Sequence, residues 1–166
     1  MNLTLLWIIL CICAYLIGSI PFGYIIGMIF HHQDIRKGGS GNIGATNALR
    51  LYGALSGIAV LILDFLKGFI VAWLLYKVVP DKFGYLIGEK PMNAFIFNLP
   101  ALMVILGHMY SVFLGFKGGK GVSTALGVFI YIATIPMLLS LIVFLIVVAI
   151  TRYVSLGSIV TAFSFF

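Results

Sequence analysis

Long apolar runs separated by short polar segments make up most of the sequence. Three of them cover residues 3–29, about 52–76 and 93–114, and apolar positions dominate again beyond residue 125. Each of the three is near or above the roughly 20 residues that a helix needs to cross the hydrocarbon core of a bilayer. Because a helix satisfies its own backbone hydrogen bonds in lipid, the pattern predicts an all-α integral membrane protein, a multi-pass helical bundle.

Composition excludes a soluble fold. Of the 166 residues, 63% are hydrophobic and only 8% are charged, against roughly 25% charged in an ordinary soluble domain. We expect a single transmembrane domain over residues 1–166, with about six spans. The first run has no basic segment before it and no clear cleavage pattern, which predicts a retained helix and not a signal peptide. The last apolar run reaches Phe166, and we expect a natural chain to continue it.

Two of the apolar runs contain helix breakers. Pro21 and its small neighbours make the second half of the first run kinkable, while Gly23 and Gly27 form a GxxxG pair that favours close helix packing. Pro136 interrupts the run from Ala125 to Ile150 and can end a helix at the residue before it. One tilted span and two short spans are both compatible with this run, and we favour two.

The distribution of basic residues predicts the orientation. No Lys or Arg precedes the first span, basic residues follow the first and third spans, and the net charge of +6 lies almost wholly between the apolar runs. The positive-inside rule therefore puts the N-terminus outside, both glycine-rich segments in the cytoplasm, and the loop around Lys82, from Pro80 to Pro91, outside. Such a basic surface suits anionic lipid or phosphate-bearing substrates.

The first polar segment, from Lys37 to Arg50, reads KGGSGNIGATNALR. Glycines let the backbone turn its N–H groups toward one point, and such nests bind anions. Arg50 adds a planar fork that can grip a phosphate with two parallel hydrogen bonds. A flexible cytoplasmic linker would explain the glycines but not the polar residues among them. The candidate anion-binding residues here are Gly39, Ser40, Gly41, Asn42, Thr46, Asn47 and Arg50.

The second polar segment, from Gly107 to Thr124, reads GHMYSVFLGFKGGKGVST. It resembles a Walker A loop but fails the pattern, because Gly121 follows Lys120 and the first glycine spacing is short, so we exclude nucleotide hydrolysis. What remains is a set of backbone N–H groups and lysines converging on phosphate at the start of a helix. The alternative is an ordinary positive-inside loop. The candidate phosphate-binding residues are Lys117, Gly118, Gly119, Lys120 and Gly121.

Three further polar residues lie in or beside the spans. Asp64 and Lys67 stand one helical turn apart inside the second span, where buried charges are expensive unless they are paired. They form either a structural pair or part of the lining of a polar cavity. His108, near the end of the third span, is either a general base or phosphate ligand, or a packed and hydrogen-bonded residue.

The remaining reactive side chains predict neither a metal site nor a covalent intermediate. Cys11 and Cys13 lie in the first span and point to nearly opposite sides of a helix, which indicates packing residues. His31 and His32 lack companion ligands and are expected to be solvated loop residues. No nucleophile elbow and no pair of carboxylates accompanies the glycine segments. The chemistry that fits is transfer from an activated substrate, carried by positioning and charge neutralisation without a cofactor.

The stretches GSIPFGYIIG, GGSGNIGATNALR, LDFLKG, GHMYSVFLGFKGGKGVSTALG and TRYVSLGS closely resemble the PlsY family, the bacterial membrane glycerol-3-phosphate acyltransferases that use acyl phosphate as donor. The resemblance implies a seven-span enzyme of the bacterial inner membrane, with an outside N-terminus and an active site on the cytoplasmic face. It also implies transfer of a fatty acyl group to glycerol 3-phosphate, giving lysophosphatidic acid without acyl-CoA or acyl carrier protein. Membrane lipids are expected partners, and nucleic acid is not.

The resemblance also assigns roles to residues. Ser40 and Arg50 match functional positions of the first family motif, and Lys120 with Gly118 and Gly119 matches the phosphate site of the second. A third family motif, rich in His, Arg, Asn and Glu after a seventh span, has no counterpart in these 166 residues. With no carboxylate base evident, a substrate phosphate is expected to take the proton of the attacking hydroxyl, since its second pKa is near 6.

Two other function classes compete with an enzyme. An anion or lipid-phosphate transporter would use the same basic segments, but transporters usually carry inverted repeats, and the GSGNIGATN segment has no second copy. A purely structural membrane subunit would not account for two phosphate-like loops. The sequence therefore favours the acyltransferase.

Overall fold

The computed structural model describes residues 3–78 and 94–165, and these residues form helices and connecting loops with no strand among them. The all-α class predicted from the sequence is confirmed. The predicted outer loop from Pro80 to Pro91 lies outside the described residues. The helices are α1 Leu3–Ser19, α2 Phe22–His31, α3 Ala45–Tyr52, α4 Ala54–Trp73, α5 Ala94–Met109, α6 Val122–Ile132, α7 Thr134–Thr151 and α8 Val154–Ser164.

Within the described residues, three stretches are long and apolar enough to cross a membrane, namely Thr4–His31, Ala54–Val78 and Thr134–Thr151. The second of these is α4 continued by a π-helical turn, Leu74–Val78, and it matches the predicted second span. The other apolar helices of the described part are shorter. These stretches agree with a multi-pass membrane protein, and the number of about six spans stays a prediction.

The first apolar run consists of two helices separated by a break at Ile20 and Pro21. Helix α1 ends at Ser19 and α2 begins at Phe22. Between them, the Ile20 N–H donates to the carbonyl of Ile17 at 3.2 Å, and Pro21 has no N–H with which to continue the helical hydrogen bonds. The break leaves the carbonyl of Ile20 available to another side chain.

The described chain divides into two compact units, Met1–Val128 and Phe129–Phe166. In the first unit, glycines let α1 and α5 approach closely. A Cβ added at Gly18 would overlap the carbonyl of Val104, and one added at Gly107 would overlap the carbonyl of Tyr15. Small residues at such positions allow backbone-to-backbone packing in membrane helices. The predicted single domain over residues 1–166 stays a prediction.

Two apolar clusters form the core of the first unit, and a buried polar layer separates them. Along α4, Val60 belongs to one cluster and Val71 to the other, with Asp64 and Lys67 between them. A buried polar layer likewise separates members of the two clusters along α1 and α2, and again along α5 and the loop after it. The first cluster contains Trp7, Ala14, Val71, Leu75, Ala101, Val104 and Val128, and the second contains Ile26, Ile35, Ile43, Ala48, Val60 and Leu114.

In the second unit, α7 and α8 contact each other, with Gly157 against the side chains of Phe144 and Val148. Arg152 connects them in a left-handed conformation, φ 63°, and its N–H donates to the carbonyl of Val148. Upstream, the chain divides into two helices at Ala133, so that Pro136 lies in the first turn of α7, where its missing N–H removes no hydrogen bond. The helix break therefore lies three residues before Pro136, and the expected division of this run into two spans stays a prediction.

Candidate active site

The first glycine loop is organised around the side chain of Asn47. Its Nδ2 donates to the carbonyls of Ile35 at 3.2 Å, Gly38 at 3.2 Å and Asn42 at 2.9 Å, and its Oδ1 accepts from the Ser40 N–H at 2.9 Å. The side chain is buried, with 2% of the residue exposed. Asn47 therefore holds the loop together, a role that the sequence analysis missed when it grouped this residue with the phosphate donors.

Two glycines of this loop adopt left-handed conformations, Gly39 at φ 58° and Gly41 at φ 69°. A Cβ added at Gly39 would overlap Oδ1 of Asn47 and lie 3.4 Å from Cδ of Arg50. Gly39 is thus enclosed between the buried amide of Asn47 and the side chain of Arg50. Arg50 itself is exposed.

The loop uses several of its backbone N–H groups internally. The N–H of Ser40 donates to Asn47, that of Gly41 to the carbonyl of Gly38 at 3.0 Å, and that of Gly44 to Oδ1 of Asn42 at 2.9 Å. Part of the expected nest of anion-binding N–H groups is therefore used within the loop itself. The side chains of Ser40, Thr46 and Arg50 are exposed, so they are the groups of this segment that can reach an anion.

The predicted GxxxG pair packs against this loop. A Cβ at Gly23 would overlap the carbonyl of Ile43, and one at Gly27 would lie 2.8 Å from both the Tyr52 hydroxyl and the carbonyl of Gln33. The two glycines of α2 thus bring the helix against the first loop and α3. Close packing was predicted correctly, but its partner is a loop and a short helix.

The second glycine loop folds back over the end of α5. The N–H of Gly118 donates to the carbonyl of Met109 at 3.0 Å, and the N–H of Gly119 donates to the carbonyl of His108 at 3.0 Å. These bonds satisfy carbonyls that a helix C-terminus leaves without partners. Gly121, at φ 77°, then turns the chain into α6. The exposed side chains of the loop include Lys117 and Lys120.

His108 lies beneath this loop with 4% of its surface exposed. Its Nδ1 is 3.4 Å from Oδ1 of Asp64. On the other side of the ring, a Cβ added at Gly119 would overlap Nε2 and lie 3.0 Å from Cε1 and 3.1 Å from Cδ2. The imidazole is thus packed beneath the glycine loop, and a role for His108 as general base or phosphate ligand stays a prediction.

The buried polar layer continues from His108 to the break between α1 and α2. Nζ of Lys67 is 2.8 Å from Oδ1 of Asp64 and donates to the carbonyl of Ile20 at 3.0 Å. The hydroxyl of Ser111 donates to the carbonyl of Ser19 at 2.5 Å. Both charged side chains are only 3% exposed, so the structure encloses Asp64 and Lys67 as a pair within protein.

An apolar cavity of about 320 Å³ lies next to the same break. It is bounded by the start of α2 and by the short 3₁₀ turn Val112–Leu114 of the second loop. The cavity therefore brings an apolar surface to the point where the polar layer and the second glycine loop meet. Its lining residues are Ile20, Pro21, Tyr24, Ile25, Phe113 and Leu114.

The segment between α2 and the first loop also carries contacts that the sequence analysis missed. Arg36 grips the carboxylate of Asp34, with Nη2 2.7 Å from Oδ2, and its guanidinium lies 4.9 Å from the centre of the Tyr24 ring. The hydrogen bond from Arg36 holds the pKa of Asp34 below its usual value. The sequence signal for the ion pair was an acidic residue two positions before a basic one. The contact with the Tyr24 ring had no such signal, because that ring is distant in sequence.

The prediction that His31 is a solvated loop residue was wrong. Its ring stacks on Tyr52 with centroids 4.3 Å apart, and its Nε2 is 2.8 Å from Oγ of Ser56. These contacts join the end of α2 to α3 and to the first turn of α4. His32 is exposed in a left-handed conformation, φ 52°, as the C-cap of α2.

Both glycine loops are anchored in the same apolar cluster. Ile43 of the first loop, and Ile35 just before that loop, belong to the same buried cluster as Leu114 of the second, so the two segments lie at one end of the first unit. The structure thus defines an all-helical integral membrane protein in which two basic glycine loops and an apolar cavity meet beside a break in a spanning segment.

The chain belongs to the glycerol-3-phosphate acyltransferase family. The family's sequence profile matches residues 8–166. A glycerol-3-phosphate acyltransferase of Chlorobaculum parvum is 49% identical over 154 residues, which cover 92% of this chain and 65% of the relative. Another from Acholeplasma laidlawii is 43% identical over 165 residues, or 99% of this chain and 70% of that protein. The family assignment agrees with the resemblance seen in the motifs.

Two crystal structures of PlsY, an integral membrane glycerol 3-phosphate acyltransferase, share the fold. The glycerol 3-phosphate form superposes with a TM-score of 0.82 and the lysophosphatidic acid form with 0.77, both at 43% sequence identity. The match covers 96% of this chain, and 74% and 73% of those two chains. Across eight curated relatives of the family, the match covers between 65% and 77% of the relative's length.

Proposed function

We propose that this protein is a membrane acyltransferase that moves a fatty acyl group from acyl phosphate to the 1-hydroxyl of glycerol 3-phosphate. The observation that carries the proposal is the common anchoring of the two basic loops, through Ile35, Ile43 and Leu114, in one apolar cluster. Two phosphate-bearing substrates need two cationic sites close together. The forms of PlsY named for glycerol 3-phosphate and lysophosphatidic acid support the acceptor and the product.

In the proposed reaction, the 1-hydroxyl oxygen attacks the acyl carbonyl carbon, and the bond from that carbon to the phosphate oxygen breaks. The products are lysophosphatidic acid and inorganic phosphate. A phosphate of a substrate, with its second pKa near 6, accepts the hydroxyl proton. The chain then supplies orientation and charge neutralisation, which are the larger part of catalysis when the acyl donor is already activated.

Arg50 and Lys120 are the proposed phosphate cations. Both side chains are exposed on their loops, and Arg50 presents a planar fork suited to two phosphate oxygens at once. Lys120 presents a compact point charge that offsets the negative charge developing on the leaving phosphate. Ser40 and Thr46, also exposed, provide hydroxyl donors beside Arg50.

The apolar cavity beside Pro21 is the proposed entrance for the acyl chain. It is lined by apolar side chains of α2 and of the turn at Phe113 and Leu114, and each methylene moved from water into such a surface contributes roughly 0.8 kcal/mol. A fatty chain lying there would put its carbonyl end toward the two loops. The chain length that the enzyme prefers then depends on how far this surface extends into lipid.

The proposal includes a cellular orientation. The basic loops are expected to face the cytoplasm of a bacterial inner membrane, with the N-terminus outside. Single cysteines introduced at Lys37 and at Lys82 test this by labelling intact cells with a membrane-impermeant thiol reagent, in a background in which Cys11 and Cys13 are serine. Labelling at position 82 alone is expected, and labelling at both positions contradicts the orientation.

Donor choice is the sharpest test of the proposed reaction. The purified membrane-inserted protein is incubated with labelled glycerol 3-phosphate and either acyl phosphate or acyl-CoA, and lysophosphatidic acid is measured. Acyl phosphate is expected to support transfer and acyl-CoA is not, because the sequence has no nucleotide-recognition segment. Equal rates with both donors refute the donor assignment, and no product with either donor refutes the acyltransferase.

A further inference from the structure

The turn of α4 from Asp64 to Gly68 lies outside both glycine loops, yet it contacts the segments on either side of Lys120. It carries the Asp64 and Lys67 pair, with 2.8 Å between Nζ and Oδ1. Removing two charges from water costs several kcal/mol per ion, and well-packed apolar residues usually stabilise a core as well as such a pair does. The pair therefore needs an explanation other than stability.

The first contact runs from Asp64 to the residues before Lys120. Oδ1 of Asp64 is 3.4 Å from Nδ1 of His108, and the far edge of the same ring lies directly against Gly119. The carbonyl of His108 also accepts the Gly119 N–H at 3.0 Å. The imidazole is thus held between the carboxylate and the loop, so a movement of Asp64 displaces the backbone next to Lys120.

The second contact runs from Gly68 to the residues after Lys120. A Cβ added at Gly68 would overlap the carbonyl of Thr124, and one added at Gly127 would overlap the carbonyl of Phe65. The first turn of α6 therefore lies against the same turn of α4, backbone to backbone. Lys120 is bracketed by two points, His108 and Thr124, that both rest on α4.

The third contact fixes that turn of α4 against the helix break. Nζ of Lys67 donates to the carbonyl of Ile20 at 3.0 Å and lies 5.6 Å from the centre of the Phe22 ring. The ammonium therefore joins the break between α1 and α2 to Asp64. Because these groups are buried, their mutual geometry is stiff, and α4 cannot shift along its axis without breaking a charge-assisted hydrogen bond.

We infer that Asp64 and Lys67 are positioning residues for the phosphate site at Lys120. They act through the imidazole of His108 and through the helix break, and they do not touch substrate. The inference rests on the proposed function, in which Lys120 binds a phosphate. A shift of about 1 Å in the placement of a binding group can cost about a hundredfold in rate, so a rigid support for the loop has a direct effect on function.

The test removes both charges and keeps the volume, in the double variant Asp64→Asn/Lys67→Met. This change leaves no unpaired charge in the core, unlike either charge deletion made alone. The matched control is Val71→Ala, a buried apolar position one turn after Lys67 on α4, which weakens packing without touching the pair or the cluster that anchors the two loops. If the double variant does not fold, Asp64→Glu is measured in the same way, because it keeps both charges and changes only the position of the carboxylate.

Two readouts separate positioning from stability in the purified membrane-inserted protein. One is the inhibition constant of inorganic phosphate in acyl transfer, and the other is the shift of the thermal unfolding midpoint produced by inorganic phosphate, which depends on binding and not on turnover. We expect the charge-free variant to bind phosphate about tenfold or more weakly than the parent. The Val71→Ala control is expected to unfold at a lower temperature but to bind phosphate as the parent does.

Each outcome decides one question. Equal phosphate binding by the parent and the charge-free variant overturns the inference, and so does an equal loss in Val71→Ala, because general destabilisation would then explain it. A parent protein that is not stabilised by phosphate overturns it as well. A parent that binds phosphate but makes no lysophosphatidic acid refutes the proposed function alone, and the binding comparison still tests the role of the pair.

Discussion

Replacing Gly119 by alanine would add a Cβ where the ring of His108 already lies. The three nearest atoms to that Cβ are all imidazole atoms, with Nε2 overlapping and Cε1 and Cδ2 at 3.0 and 3.1 Å, where ordinary carbon contacts begin near 3.5 Å. His108 is buried and held by Asp64, so the ring has little room to retreat. The loop must lift instead, by about 1 Å in a close-packed interior.

A displacement of that size should lower kcat/KM about a hundredfold, equivalent to about 2.7 kcal/mol. Trimming the ring makes room for the methyl group, so the double variant His108→Ala/Gly119→Ala should be at least about tenfold faster than Gly119→Ala alone. Gly118→Ala is the contrasting change, because its Cβ would overlap the backbone carbonyl of His108. No side-chain truncation can relieve that clash, and His108→Ala should not rescue it.

The assay is steady-state acyl transfer in nanodiscs, with the thermal unfolding midpoint of each variant measured alongside. Parent-like activity of Gly119→Ala would show that the loop adjusts without cost. A double variant no faster than Gly119→Ala would refute the assignment of the loss to a clash with the imidazole. Rescue of Gly118→Ala by His108→Ala would contradict the distinction between side-chain and backbone contact on which the prediction rests.

Three other predictions follow from the first loop and its surroundings. Asn47→Leu removes every hydrogen bond of the buried amide and should cost about 3 kcal/mol of stability or more. The measurement is thermal unfolding, with Thr46→Ala, an exposed neighbour on α3, as the control. An unchanged midpoint of Asn47→Leu contradicts the prediction. Arg50→Lys should lose activity although the charge is kept, whereas Lys120→Arg keeps part of it, and full activity of Arg50→Lys would mean that a fork is not needed. The pKa of Asp34 is lowered in the folded protein. Its contribution to stability is therefore present above the unfolded pKa of about 3.9 and is lost as the pH falls through the lowered folded pKa. Asp34→Asn should flatten the dependence of the unfolding midpoint on pH below about pH 4, and an unaltered profile would refute this.

The helical membrane architecture could be predicted from the sequence because it depends on local properties. Apolar runs of sufficient length specify helices in lipid whatever their neighbours are. The break at Pro21 was only partly visible. Whether a proline kinks a helix or ends it depends on which group donates a hydrogen bond to the carbonyl that the break frees. Here the donor to the Ile20 carbonyl is Lys67, which lies 47 residues further along the chain.

The residue types of the candidate site could also be predicted from the sequence, but the hydrogen bonds among them could not. The sequence brought together glycines, short polar residues and cations, which indicated anion binding. It could not separate a donor that faces the ligand from one that holds the loop, since both need the same residue types. Asn47 is the clearest case, because its amide contacts carbonyls of residues 5, 9 and 12 positions earlier.

The glycines of the two loops have a common explanation that differs from an N–H nest. In each loop, a buried polar side chain occupies the place where a glycine Cβ would be, Asn47 at Gly39 and His108 at Gly119. In each, a cation is exposed on or beside the covered glycine, Arg50 in the first loop and Lys120 in the second. The glycines therefore allow a thin layer of backbone to separate a fixed polar support from an exposed charge. Such a layer transmits the position of the support to the cation, which is why changes to the buried residues should alter phosphate binding although they cannot reach the ligand.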